Sequence, residues 1–145
     1  HRINFVDFVR SRIEFFTQTA IKFKSKFEFI HKTDEIILDF NEIKLQRIVD
    51  NNLTNAIKYT LENETIYVVL KVHRADCDLI IESRSAQILD PQKIFEEYHR
   101  EEISKEGFGL GLNLVKRICN EENVGIKLES GENWASFTYT FKGVI

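Results

Sequence analysis

The sequence predicts a two-layer α+β sandwich, a mixed sheet packed on about three helices. Three observations carry this. Apolar stripes of helical period at 5–23, 41–60 and 110–120 are separated by strand-like segments that come in pairs. The strict one-strand, one-helix alternation of a doubly wound sheet is absent. The chain has 145 residues, enough for one domain, whereas two would each be too small to bury a good core.

The first helix, 5–23, places Phe5, Val9, Ile13, Phe16, Ala20 and Phe23 at steps of three and four, which makes one face. A strand follows at 27–30, where Phe27 and Phe29 alternate with Glu28, and a second at 36–39. The strongest helix, 41–60, has Asn41 to cap it, though Lys44 stands where a capping box would have Glu. Its stripe is Leu45, Ile48, Val49, Leu53, Ala56 and Ile57. Strands at 65–74 and 77–83 are rich in β-branched residues and join through a turn at Ala75-Asp76. A short helical turn is expected at 91–97 and a charged loop at 98–107. The last helix, 110–120, turns Leu114, Val115 and Ile118 inward. Strands at 125–129 and 134–141 close the chain through a hairpin at Ser130-Gly131-Glu132-Asn133.

Composition narrows the function. Twelve Phe, with Tyr and Trp, supply enough apolar surface to exclude disorder. A net charge of −3 argues against a nucleic-acid partner. No apolar run approaches the roughly 18 residues of a membrane span. Arg2, Asp7, Arg10 and Arg12 interrupt any signal peptide. Cys77 and Cys119 form no CxxC pair and are expected to be buried free thiols in a reducing cytoplasm. His1, His31, His73 and His99 are scattered, so no transition-metal site is expected.

Two segments carry chemistry. In Asn51-Asn52-Leu53-Thr54-Asn55-Ala56-Ile57-Lys58-Tyr59-Thr60, helical geometry puts Asn51, Asn55 and Lys58 within roughly 60° of one another, bordering the apolar stripe. An amide oxygen there can ligate Mg²⁺ without adding charge, and an ammonium can neutralise phosphate. In Gly107-Phe108-Gly109-Leu110-Gly111-Leu112, glycines at alternate positions run straight into a helix. Such a segment lets backbone N–H groups and a positive helix end approach phosphate. It is neither a Walker A loop nor a dinucleotide fingerprint.

Together these segments resemble the catalytic ATP-binding domain of bacterial two-component sensor histidine kinases, within the ATPase group of gyrase, Hsp90 and MutL. The resemblance runs from about Phe5 to Phe141. Asn51 through Thr60 resembles the N box, Phe95-Glu96-Glu97-Tyr98-His99-Arg100 the F box, and Gly107 through Leu112 the G2 box. It implies a Bergerat-type fold with a mobile ATP lid, and Mg-ATP as ligand. Asn55 would coordinate Mg²⁺, with Asn51 beside it. Lys58 would contact phosphate and Tyr59 would line the pocket. Phe95 would anchor the lid, Arg100 and Lys105 would reach the phosphates from it, and Gly107, Gly109 and Gly111 would hinge it. Leu110 and Leu112 would hold the lid and helix at the nucleotide.

At the G1 box the family has an Asp that bonds the adenine amino group. Here Ser83 takes the Asp position and Ser85 that of the first Gly, with Ile88 ending the stretch on the nucleotide side. A neutral hydroxyl for a carboxylate implies a loss on the order of 1–2 kcal/mol. Glu82 could substitute only through a one-residue register slip. Glu101, Glu102 and Glu106 on the short lid would weaken binding further if they repel the triphosphate.

No histidine has the context of a phosphoacceptor, so the resemblance implies a fragment whose dimerisation domain lies upstream. The implied reaction is γ-phosphoryl transfer to a histidine on that domain, with a response regulator downstream. The implied setting is the cytoplasmic part of a membrane-anchored sensor kinase, and the isolated domain is expected to be monomeric. A degenerate, regulatory domain with weak or no ATP binding is the alternative. A gyrase-type or Hsp90-type ATPase is disfavoured, because Arg47 and Asn51 occupy the face where its catalytic Glu would sit.

Overall fold

The computed structural model describes residues 1–85 and 110–144. In chain order these form β1 (Arg2–Asn4), α1 (Phe5–Lys22), β2 (Lys26–His31), β3 (Ile37–Asp39), α2 (Glu42–Tyr59), β4 (Thr65–His73), β5 (Asp76–Ser83), α3 (Leu110–Glu122), β6 (Gly125–Gly131) and β7 (Trp134–Lys142).

The main sheet has the order β2-β4-β5-β7-β6, with β2 and β4 parallel and the other neighbours antiparallel. Parallel neighbours need a crossover, and the one from β2 to β4 carries α2 across a face of the sheet. β6 runs the same way as β5 with β7 between them, so the return through α3 is a crossover too. This is the two-layer α+β sandwich with a mixed sheet and three helices that the sequence predicts.

Period-two burial fixes which strand face meets the helices. On β5, Cys77, Leu79, Ile81 and Ser83 are buried while their neighbours are half-exposed. Ile66, Val68 and Leu70 of β4 share that face with Tyr139 and Phe141 of β7. Against them lie all six stripe residues of α2, together with Phe5, Val9, Ile13 and Ala20 of α1. Phe141 takes edge-on contacts from Phe5 and Phe40, with ring centroids 4.9 and 5.4 Å away. Asn41 caps α2, its Oδ1 accepting from Lys44 N–H at 2.9 Å.

Several boundaries differ from the sequence reading. β3 does not join the main sheet. It pairs antiparallel with β1, a three-residue strand the sequence pattern does not reveal. α1 ends at Lys22, and Phe23 is its exposed C-cap instead of a core residue. His73 pairs with Asp76, so the β4–β5 turn is Arg74-Ala75, one residue earlier than expected; Arg74 takes the left-handed conformation (φ 59°). Gly131 pairs with Trp134, which leaves a two-residue turn, Glu132-Asn133. α3 runs two residues further than expected, to Glu122. The expected helical turn at 91–97 and loop at 98–107 lie outside the described residues.

Candidate functional site

The second half of α2 carries four of the predicted site residues, Asn51, Asn55, Lys58 and Tyr59. Its three asparagines have different fates. Asn51 is half-buried and donates through Nδ2 to the Arg47 carbonyl at 2.7 Å. Asn52 is 3 % exposed and satisfied at both ends: Nδ2 donates to Ile48 O at 2.8 Å, and Oδ1 accepts from Tyr139 O–H at 2.7 Å. Asn55 is half-exposed as a residue, but its Nδ2 is buried and has no hydrogen-bond partner. Buried polar atoms are nearly always satisfied, and leaving one bare costs about 1–3 kcal/mol. Lys58 is exposed and Tyr59 half-buried at the same end of the helix.

The two chemistry-bearing segments come together at one described point, Gly111 beside Asn51. A Cβ built on Gly111, in the first turn of α3, would run into the Asn51 amide, with Cγ at 3.1 Å and Oδ1 closer still. Only glycine lets α3 come this near α2 at Asn51. Leu112, next in α3, is buried against Ile126, Leu128 and Phe137, so its side chain anchors the helix to the sheet.

The G1-like turn joins the same end. Leu61 N–H donates to Arg84 O at 2.7 Å, and Thr60 Oγ1 makes a longer contact to it at 3.3 Å. Ser85 N–H reaches Asn133 O at 3.2 Å. Ser83 and Ser85 are both buried. β5 keeps register, with Glu82 opposite Tyr67 and Ser136 and Ser83 opposite Ala135. No slip turns Glu82 inward; the hydroxyl of Ser83 holds the helix-facing position. Ile88, Phe95, Arg100, Lys105, Gly107, Gly109 and the side chain of Leu110 lie outside the described residues.

Sequence reasoning missed Asn52 and Tyr139. The signal was available: Asn52 is four residues from both Ile48 and Ala56, inside the apolar stripe. It also missed the brace behind the site. Arg12 of α1 forms a bidentate pair with Asp50, at 2.8 and 2.7 Å, one residue before Asn51. The guanidinium also lies over Phe15, 4.6 Å from the ring centroid.

An open cleft of about 680 Å³ lies elsewhere, lined by His1, Asp39, Phe40, Asn41, Glu42, Ile43 and Glu122. It sits at the start of α2, roughly 20 Å along the axis from Asn55 at 1.5 Å per residue. It holds none of the predicted site residues.

The donor set fits a magnesium-bound triphosphate. Asn55 offers a buried, unpartnered Nδ2 donor that a phosphate oxygen could accept from, on an amide whose oxygen end is a suitable ligand for a hard cation, and Gly111 leaves backbone room where a side chain would intrude. Among the described residues no group of three or more His, Cys, Asp or Glu could hold a metal.

Fold and candidate site define a class: two-layer sandwiches in which a crossover helix is approached closely by a glycine-bearing second helix. The family described as histidine kinase-, DNA gyrase B-, and HSP90-like ATPase matches residues 40–143, and the chain belongs to it. Within that family it is a catalytic ATP-binding domain of the sensor histidine kinase type. The probable sensor kinase SilS of Salmonella typhimurium is 31 % identical over 91 residues, covering 59 % of this chain and 18 % of SilS. The nucleotide-free catalytic domain of histidine kinase ThkA superimposes with a TM-score of 0.88 at 20 % identity, covering 99 % of this chain and 95 % of that one. ThkA in complex with response regulator protein TrrA gives 0.83 at 19 % identity, covering 99 % and 41 %. Full-length ShkA in complex with AMPPNP gives 0.85 at 16 % identity, covering 97 % and 30 %. At these identities the structures show the shared fold. The chain spans about a fifth of SilS.

Proposed function

We propose that this domain binds Mg-ATP against the second half of α2 and donates the γ-phosphoryl group to a histidine on a dimerisation domain outside this chain. The observation that carries the reading is the buried, unpartnered Nδ2 of Asn55, in a helix where the Nδ2 groups of Asn51 and Asn52 both donate to helix carbonyls. In this reading Asn55 turns its oxygen to Mg²⁺, Asn51 stands beside it, Lys58 neutralises phosphate and Tyr59 lines the pocket. Ser83 and Ser85 meet the adenine, with Ile88 beyond them. Phe95, Arg100, Lys105, Gly107, Gly109 and Gly111 keep the roles that the resemblance implies, with Leu110 and Leu112 holding the helix start.

In the transfer, an imidazole nitrogen forms a bond to the γ-phosphorus while the bridging oxygen leaves with ADP. Mg²⁺ supplies charge neutralisation when bound. This chain's residues position and neutralise, because phosphoryl transfer asks little covalent help of a protein. A response regulator is the proposed downstream partner. The proposed setting is the cytoplasmic side of a membrane-anchored sensor kinase. No described helix is long and apolar enough to cross a membrane.

Calorimetric titration with ATP, with and without Mg²⁺, tests this. Binding should tighten with Mg²⁺, and Asn55→Ala should remove that dependence. ATP at a hundred times its Kd would add about 2.7 kcal/mol of stability, visible as a rise in Tm. No shift in millimolar Mg-ATP would favour the second reading, a regulatory domain that has lost nucleotide. The neutral, inward-held Ser83 is what supports that alternative.

A further inference from the structure

The Asn52–Tyr139 pair has no role in the function proposed above, yet it is buried one residue from Asn51. Tyr139 is 0 % exposed in the middle of β7, held in register by Leu79 on one side and Ile126 on the other. Its hydroxyl donates to Asn52 Oδ1. The other end of that amide is engaged by Ile48 O, which fixes which way the amide points. Around it, Leu45, Ile48, Val49, Leu53 and Ala56 bury apolar surface, which resists separation but carries little directional information. A hydrogen bond is directional.

We propose that the Tyr139–Asn52 hydrogen bond is a rotational lock on α2, setting the angle at which Asn51 and Asn55 face the nucleotide site. The second half of this claim rests on the reading of α2 as the Mg-ATP helix. At 100° per residue, Asn51 and Asn55 stand about 100° and 60° from Asn52, both on the same side of it. A bond of 2.7 Å stretched by about 0.5 Å leaves the usual O–H···O range and is weakened. At about 5 Å from the helix axis, that displacement is about 6° of rotation. The same turn shifts Asn51 by a similar distance, where its amide already fills the space left by Gly111. Tyr139 and Asn52 are thus positioning residues that act through Asn51 and Asn55.

The test separates packing from orientation with three variants of the full chain: Tyr139→Phe, Asn52→Leu and the two combined. Each single variant strands a buried polar atom and should melt earlier. The double variant replaces both partners with apolar groups and should recover most of the melting temperature. If the bond is a lock, recovered stability does not restore orientation. In the ligand-free double variant the NMR cross-peak between Asn51 side-chain and Gly111 α-protons weakens. The Mg²⁺-dependent part of ATP binding falls at least five-fold. A wild-type cross-peak, or wild-type Mg²⁺ dependence, in the double variant overturns the lock. A wild-type chain that takes up no Mg-ATP overturns the proposed function instead, and the cross-peak then decides the lock alone.

Discussion

Three asparagines within five residues of α2 meet three environments: a bond to their own helix, a bond to the sheet, and a buried Nδ2 without a partner. Helical rotation of 100° per residue is sufficient cause. Gly111→Ala tests the first environment. The added methyl collides with an Asn51 amide that is held at 2.7 Å by Arg47 O, so the amide must swing and give up that bond. Alanine is favoured over glycine in a helix by about 1 kcal/mol, which offsets the loss. Thermal melts should therefore stay within about 1 kcal/mol of wild type while Mg-ATP affinity drops roughly ten-fold. Unaltered affinity would remove the Asn51–Gly111 contact from the site. At Ser83, substitution by Asp should tighten ATP binding by about ten-fold, through a charged acceptor for the adenine amino group. The free protein should melt earlier, because a buried carboxylate is left without its partner. Calorimetry that finds weaker binding would move adenine away from Ser83.

Between elements, the contact that matters for the site is the Arg12–Asp50 pair linking α1 to α2. Both side chains are about four-fifths buried, at 19 % and 20 % exposure, so solvent screens the pair less than a surface bridge. Arg12→Met keeps an unbranched apolar stem and removes the charge, and with it the guanidinium over Phe15. It should cost about 1–3 kcal/mol, or roughly 3–9 °C in Tm for a domain of this size. A change below about 1 °C would mean the pair contributes no more than an exposed one. This brace was not legible in the sequence, because partners 38 residues apart have no local signature. The same limit explains β1: three residues cannot display a period of two, and their partner β3 begins only at Ile37. Long, strongly periodic elements were legible. Every stripe residue assigned to α2 is buried, and its Asn41 cap forms as read. Of the candidate site, the face shared by Asn51 and Asn55 followed from helical spacing alone. Its tertiary half did not. That Gly111 abuts Asn51, and that Tyr139 reaches Asn52, depends on how the helices lie on the sheet.

At the scale of the whole molecule, the ionisable groups fully buried among the described residues are the neutral acids Cys77, Cys119 and Tyr139, and they shape how the domain responds to alkali. Cys77 in β5 and Cys119 in α3 are free and fully buried. Burial pushes both thiols from the usual 9.0 up to about 12, and at Cys77 the neighbouring Asp78 charge adds to the effect. Burial also raises the Tyr139 hydroxyl, against the opposing bond to Asn52. In the unfolded chain each thiol ionises near its usual value, while in the folded chain it stays protonated to about 12. Between these values the unfolded state binds fewer protons, so stability falls as pH rises. Below about pH 8 both states are almost fully protonated and the thiols contribute little slope. At pH 10 each thiol should have removed about 1.4 kcal/mol, and the pair about 3 kcal/mol. Denaturant melts from pH 7 to 11 should show a plateau and then this decline. Cys77→Ala/Cys119→Ala should lower the plateau, through the small voids it leaves, and make the decline between about pH 9 and 10 shallower, with Tyr139 still contributing above about pH 10. A decline of unchanged steepness in that variant would assign the alkaline sensitivity to groups other than the two thiols.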